Sequence, residues 1–83
     1  MLNVLYFASL RESLGTSQES LDLPGIATVA GLMDQLRARG GAWAEALAAG
    51  KRWRVAVNQN MAVPDTPLKA GDEVAIFPPV TGG

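Results

Sequence analysis

The spacing of apolar residues changes period along this chain, and each change marks a new element. "LNVLYF", Leu2 to Phe7, is aliphatic and aromatic with no glycine or proline, which predicts a strand. Asn3 sets its parity: with Asn3 in water, Leu5 and Phe7 share that face while Leu2, Val4 and Tyr6 turn inward. "ASLRESLGTS" reads as a polar loop, and "QESLDLP", Gln18 to Pro24, as a second strand closed by Pro24-Gly25. From Thr28 the period lengthens, because Val29, Leu32, Met33 and Leu36 fall at i, i+3, i+4 and i+7. That stripe predicts an amphipathic helix, with Thr28 as its N-cap. Arg37 and Arg39 suit the negative end of its dipole, and Gly40-Gly41 stop it.

A shorter helical piece follows in "AWAEALAAG", with Trp43 and Leu47 on one side and Gly50 at its end. The spacing of Trp43 and of the helix stripe already has a packing explanation, so both read as core and not as cofactor contacts. Alternation returns in "RWRVAVN", where Val55 and Val57 share one face and Arg54, Ala56 and Asn58 the other. "NQN" makes a turn, "MAV" starts a return strand before Pro64, and "PDTPLKAGD" is a loop or single turn. "EVAIF" is the last strand, with Val74 and Ile76 on one side and Glu73, Ala75 and Phe77 on the other.

These elements predict an α+β fold in which one main helix covers one face of a mixed sheet. One helix cannot cover both faces. The parity argument places Leu5, Phe7, Ala56, Ala75 and Phe77 on the uncovered side, an apolar row of the kind that marks an association surface. A slip of one residue in register would instead bury them.

Composition narrows the classes. The 83 residues, 48% hydrophobic and 18% charged, suit one domain spanning 1–83, since a second core would have too few residues to close. Seven basic against eight acidic residues give a net charge of -1, which argues against general affinity for nucleic acid or anionic membrane. Lys51, Arg52 and Arg54 form a small basic cluster that reads as a solvated strand entry or a docking feature for an acidic partner. Cysteine and histidine are both absent from the sequence, so it offers no disulfide, thiolate nucleophile, imidazole base or zinc site of the usual type. The opening "MLNVLYFASLRES" lacks a basic leader region, and its apolar run is too short for a signal peptide or a membrane span. A cytoplasmic, soluble protein is the expectation.

"GDEVAIFPPVTGG" concentrates the chemistry. Pro78 and Pro79 lack the N–H groups that would extend a sheet, and each fixes φ near -65°, so the chain leaves the last strand stiff and extended. Val80, Thr81, Gly82 and Gly83 then reach at most about 13 Å further, at ~3.3 Å per residue. Two glycines carry no side-chain atoms, so this tail, residues 78–83, suits a narrow channel in another protein. The group presented there is the Gly83 carboxylate. With a pKa of about 3.5 it is ionised and resists nucleophilic attack, so it needs activation, for which adenylation by ATP would serve. No G-x-x-x-x-G-K-[ST] loop is present, because Lys51 precedes Arg and Lys69 precedes Ala, so activation is expected from a partner enzyme.

The terminal motif resembles the C-terminal signature of the small subunit of molybdopterin synthase, the sulfur carrier of molybdenum cofactor synthesis. "VLYFASLRESLG" is similar to that family's first strand and loop, and "VAVNQN" to its central hairpin, so the resemblance covers the whole chain. It implies a ubiquitin-like β-grasp fold whose Gly83 is adenylated by an E1-like adenylyltransferase and converted to a thiocarboxylate with sulfur from a donating enzyme. It further implies that the tail enters the large, catalytic subunit and gives its sulfur to cyclic pyranopterin monophosphate, two transfers making the dithiolene. The implied assembly is a heterotetramer with two small subunits at the ends of a large-subunit dimer. The chain itself would bind no cofactor or metal and would not be an enzyme alone. In such a fold the first and last strands are neighbours, so Phe7 and Phe77 would meet and, with Leu5 and Ala75, form the partner interface. Arg11 and Glu12 are further candidates, with a solvated loop as the competing account. Three other readings keep the same sequence features: a thiamine-type carrier donating to thiazole synthase, a protein modifier conjugated through Gly83, and an interaction domain with an inert terminus.

Overall fold

The computed structural model describes residues 1–22, 26–48 and 54–78. Their elements run β1 (Leu2–Tyr6), α1 (Ser9–Leu14), β2 (Gln18–Leu21), α2 (Val29–Arg37), α3 (Gly41–Ala46), β3 (Arg54–Val57), β4 (Asn60–Ala62) and β5 (Glu73–Phe77). The strands form one sheet in the order β2-β1-β5-β3-β4. β1 and β5 are parallel, and every other pairing is antiparallel. The first and last strands therefore occupy adjacent positions inside the sheet, as the β-grasp arrangement requires.

The parity set by Asn3 holds: Leu2, Val4 and Tyr6 are buried and Asn3 is exposed. They join Val55, Val57, Val74 and Ile76 from the sheet and Val29, Leu32, Met33 and Leu36 from α2 in one hydrophobic cluster. Full burial of an aliphatic side chain of this size stabilises by about 1.5–3 kcal/mol, so the α2 stripe is a principal source of fold energy. Thr28 caps α2 as its sequence position implies, its hydroxyl accepting from the Gly31 N–H at 3.2 Å. Gly40, at φ 76, turns the chain from α2 into α3.

Several boundaries differ from the sequence expectations. The segment read as a polar loop contains α1, in which Leu10 is buried and Leu14 half-buried at i, i+4. Gly15 ends that helix in the left-handed region, its N–H donating to the Arg11 carbonyl at 3.0 Å. β1 ends at Tyr6, although the Phe7 N–H still donates to the Ile76 carbonyl at 3.2 Å. β2 stops at Leu21, and the Pro24-Gly25 end expected for it lies outside the described residues. So do Gly50, expected to end the short helix, and the Lys51–Arg52 part of the basic cluster. α3 itself ends at Ala46, with Leu47 buried behind it. Arg39 does not serve the end of α2; it crosses to Glu19 on β2.

The β3–β4 turn is tight. Asn58 and Gln59 have φ of 50 and 71 between the paired residues Val57 and Asn60, the signature of a two-residue type I′ hairpin. Asn58 also reaches sideways, accepting from the Glu73 N–H at 3.0 Å and donating to Asp72 Oδ1 at 2.9 Å. These bonds, with the Lys69 N–H, hold the exposed Asp72 carboxyl below its ordinary pKa.

A second corner is less comfortable. Ala8 sits at φ 53, ψ -130, and the Leu10 N–H donates to the Phe7 carbonyl at 3.1 Å, so Phe7–Leu10 form a type II′ turn with Ala8 at the position that glycine favours. Burying Leu10 so soon after the end of β1 forces this corner. A non-glycine residue there costs about 1–3 kcal/mol, more than the about 0.4–1 kcal/mol that alanine recovers by restricting the unfolded chain.

Candidate functional site

Register determines what lies on the sheet face opposite the helices. Leu5 pairs with Ala75, Ala75 with Ala56, and Ala56 with Met61, giving one row across β1, β5, β3 and β4. Paired residues in a sheet share a face. None of the four belongs to the hydrophobic cluster on the helix side. One register step toward the end of β5, Phe77 pairs with Arg54, and the Phe7 ring stacks on Phe77 with centroids 4.7 Å apart and planes at 13°. The step in the other direction is polar: Ser20, Asn3 and Glu73 lie side by side, with Ser20 Oγ donating to Asn3 Oδ1 at 3.0 Å. The face is thus aromatic at one end, aliphatic in the middle and hydrophilic at the other.

Of the residues singled out for an interface, Leu5, Phe7, Ala75 and Phe77 come together here. Ala56 and Ala75 are themselves nearly covered, because a methyl in the middle of a sheet lies between taller neighbours; the exposed atoms belong to Phe7 and Met61, the latter 66% exposed. Met61 extends the row beyond the residues proposed from sequence, and the parity of the strand beginning "NMA" was the signal for it. Arg11 stands apart from this row, exposed on α1. Glu12 is exposed on the same helix. Arg54 supplies a cation beside Phe77, a placement that only the β3–β5 register reveals.

β5 leads the chain directly out of this face. Phe77 is its last residue and Pro78, half-buried, follows it. Pro79, Val80, Thr81, Gly82 and Gly83 lie outside the described residues. Among the described residues no group of three or more acidic, histidine or cysteine side chains could hold a metal ion, and no helix is long and apolar enough to cross a membrane.

The helix side of the sheet carries a polar cluster of a different kind. Glu19 on edge strand β2 faces inward beside Val4 and accepts two bonds from Arg39, at 2.8 and 3.0 Å, and one from the Tyr6 hydroxyl at 2.9 Å. The Arg39 guanidinium lies 4.3 Å from the centroid of the Trp43 ring, and Trp43 meets Tyr6 edge to face at 5.4 Å. The Arg39 bonds hold the Glu19 carboxyl below its ordinary pKa, and the same bonds raise that of Arg39. Burial, reinforced by the bond to Glu19, pushes the Tyr6 hydroxyl upward. Every buried side-chain polar atom among the described residues has a partner, and this cluster fastens β2 to the helices.

Comparison with known proteins agrees with this geometry. The ThiS family profile matches residues 4–83. The chain is 45% identical over 83 residues to the molybdopterin synthase sulfur carrier subunit of Haemophilus influenzae, and 47% identical over 85 residues to that of Escherichia coli, with all of each chain covered. Small archaeal modifier protein 1 from Haloferax volcanii superposes with a TM-score of 0.77 at 30% identity, covering 95% of this chain and 97% of that one. The fold is the ubiquitin-like β-grasp, and the chain belongs to the ThiS family, among its molybdopterin synthase sulfur carrier subunits.

Proposed function

We propose that this chain carries sulfur on the terminal carboxylate of Gly83 and delivers it inside the large subunit of molybdopterin synthase, in a cytoplasmic setting. Gly83 reacts first with ATP on an E1-like adenylyltransferase, giving an acyl adenylate and pyrophosphate. Hydrosulfide supplied by a donating enzyme then attacks the acyl carbon and displaces AMP, leaving a thiocarboxylate. The tail, Pro78 to Gly83, enters the large subunit, where the acid and base groups reside, and the sulfur passes to cyclic pyranopterin monophosphate as the dithiolene forms. ATP belongs to the activating enzyme, and the carrier needs no cofactor of its own.

One observation carries the docking part of this reading: central strand β5 delivers the chain to Pro78 at the edge of an apolar face that no element of the described structure covers. A partner that grips Phe7, Phe77, Leu5 and Met61 is thereby placed to receive the tail, and buried aromatic anchors commonly dominate such interfaces. Arg54 supplies a basic neighbour for acidic groups on that partner. The test is mass spectrometry of the intact chain. Incubation with the activating enzyme, ATP and a sulfur source should replace one oxygen by sulfur at Gly83, and a chain lengthened by one residue after Gly83 should show no such shift. An unshifted native chain under those conditions overturns the reading.

Likeness to an archaeal modifier protein favours a second use of the same terminus, amide formation with lysines of other proteins. Covalent adducts of higher mass that survive reducing agent distinguish it, since a thiocarboxylate carrier forms none.

A further inference from the structure

The corner at Ala8 poses a question that the fold does not answer. Its φ of 53 and ψ of -130 belong to glycine's territory, outside the left-handed helical region that Asn58 and Gln59 occupy in their turn, and at Gly40, with φ 76 and ψ -171, the chain does use glycine. Ala8 keeps a methyl group instead. That methyl does nothing for the core: Ala8 is exposed and lies outside the hydrophobic cluster. Nor is it needed to close the turn, whose bond runs between the Phe7 carbonyl and the Leu10 N–H. Its position is what sets it apart. It directly follows Phe7, whose ring stacks on Phe77 where β5 hands the chain to Pro78. A strained residue with no internal benefit, beside an exposed apolar face, is the arrangement expected of a group retained for recognition.

We infer that Ala8 is a contact residue of the docking face, its methyl seated against the large subunit beside the Phe7–Phe77 stack and kept at the expense of the carrier's own stability. The inference rests on the docking reading given above and adds to it a residue that neither periodicity nor burial selects. It also separates two properties that usually fall together. Replacing Ala8 by glycine relieves the backbone and removes the contact, so stability and binding move in opposite directions.

The experiment compares wild type, Ala8→Gly, Ala8→Asn and Phe77→Glu as full-length chains, by thermal unfolding and by calorimetric titration with the purified large subunit. Ala8→Gly should raise the melting temperature by roughly 4–8 °C while weakening binding roughly three- to tenfold, the amount one methyl contact is worth. Ala8→Asn, which tolerates positive φ but puts a polar amide where the methyl was, should bind at least as weakly as Ala8→Gly without melting below wild type. Unchanged affinity in Ala8→Gly overturns the contact, and a lowered melting temperature in that variant overturns the strain on which the inference stands. Phe77→Glu reports on the docking reading separately: if it binds weakly while Ala8→Gly binds like wild type, the face is correct and only the role of Ala8 fails.

Discussion

Glu19 lies on an edge strand, yet its side chain turns inward, and what makes this tolerable is the bidentate Arg39 and the Tyr6 hydroxyl. Because the Glu19 carboxyl titrates lower in the fold than in the unfolded chain, its contribution is complete above the ordinary glutamate value of 4.5 and disappears as pH falls through the folded value. Glu19→Gln should therefore lower the urea midpoint at about pH 7 and shrink the further loss on acidification to about pH 3. Equal losses on acidification in both proteins would assign that titration to other carboxyls, such as Asp72. Gln59 gives the opposite kind of prediction. It occupies the second positive-φ position of a type I′ turn, where glycine is preferred, so Gln59→Gly should stabilise by about 0.5–1 kcal/mol in denaturant titration. The cluster at Glu19 could not be found from sequence: alternation with Leu21 turns the carboxylate inward, but Arg39 is twenty residues away and nothing in either segment pairs the two.

At the scale of elements, α2 was legible and α1 was not. Four apolar residues at helical spacing behind a threonine cap define α2, and Thr28→Ala should cost about 1 kcal/mol through loss of the bond from Gly31. α1 offers only Leu10 and Leu14 among charged and hydroxyl residues, and six residues are too few for helix propensity to register. Tertiary burial of Leu10 decides the matter. Leu10→Ala should cost about 2–5 kcal/mol in equilibrium unfolding, whereas in the solvated loop read from sequence the same change would fall within about 0.5 kcal/mol. The strands were readable by alternation, although their ends were not, since β1 and β2 stop where pairing stops and not where apolar character does. Of the residues proposed for the interface, parity placed Leu5, Phe7, Ala75 and Phe77 on one face, as the register does, while Met61 and Arg54 required knowing which strands are neighbours.

On the scale of the whole molecule, the helices cover one side of the sheet, and no described element covers the other. Phe77→Glu should weaken association with the large subunit by tenfold or more, with a thermal midpoint close to wild type because Phe77 lies outside the core cluster. A large drop in that midpoint would mean that the stack with Phe7 is part of the fold and not a docking anchor. The sheet order has one more consequence, for the birth of the protein. β5 is the last strand in chain order, yet it sits between β1 and β3 and, among the described strands, is the one that joins the β1–β2 and β3–β4 pairs. A nascent polypeptide halted before Glu73 therefore possesses two separate strand pairs and no continuous sheet, and contacts this distant along the chain form slowly. Prematurely terminated copies cannot masquerade as finished ones, because the strand that completes the scaffold is the same strand that leads into Pro78 and the proposed carrier tail.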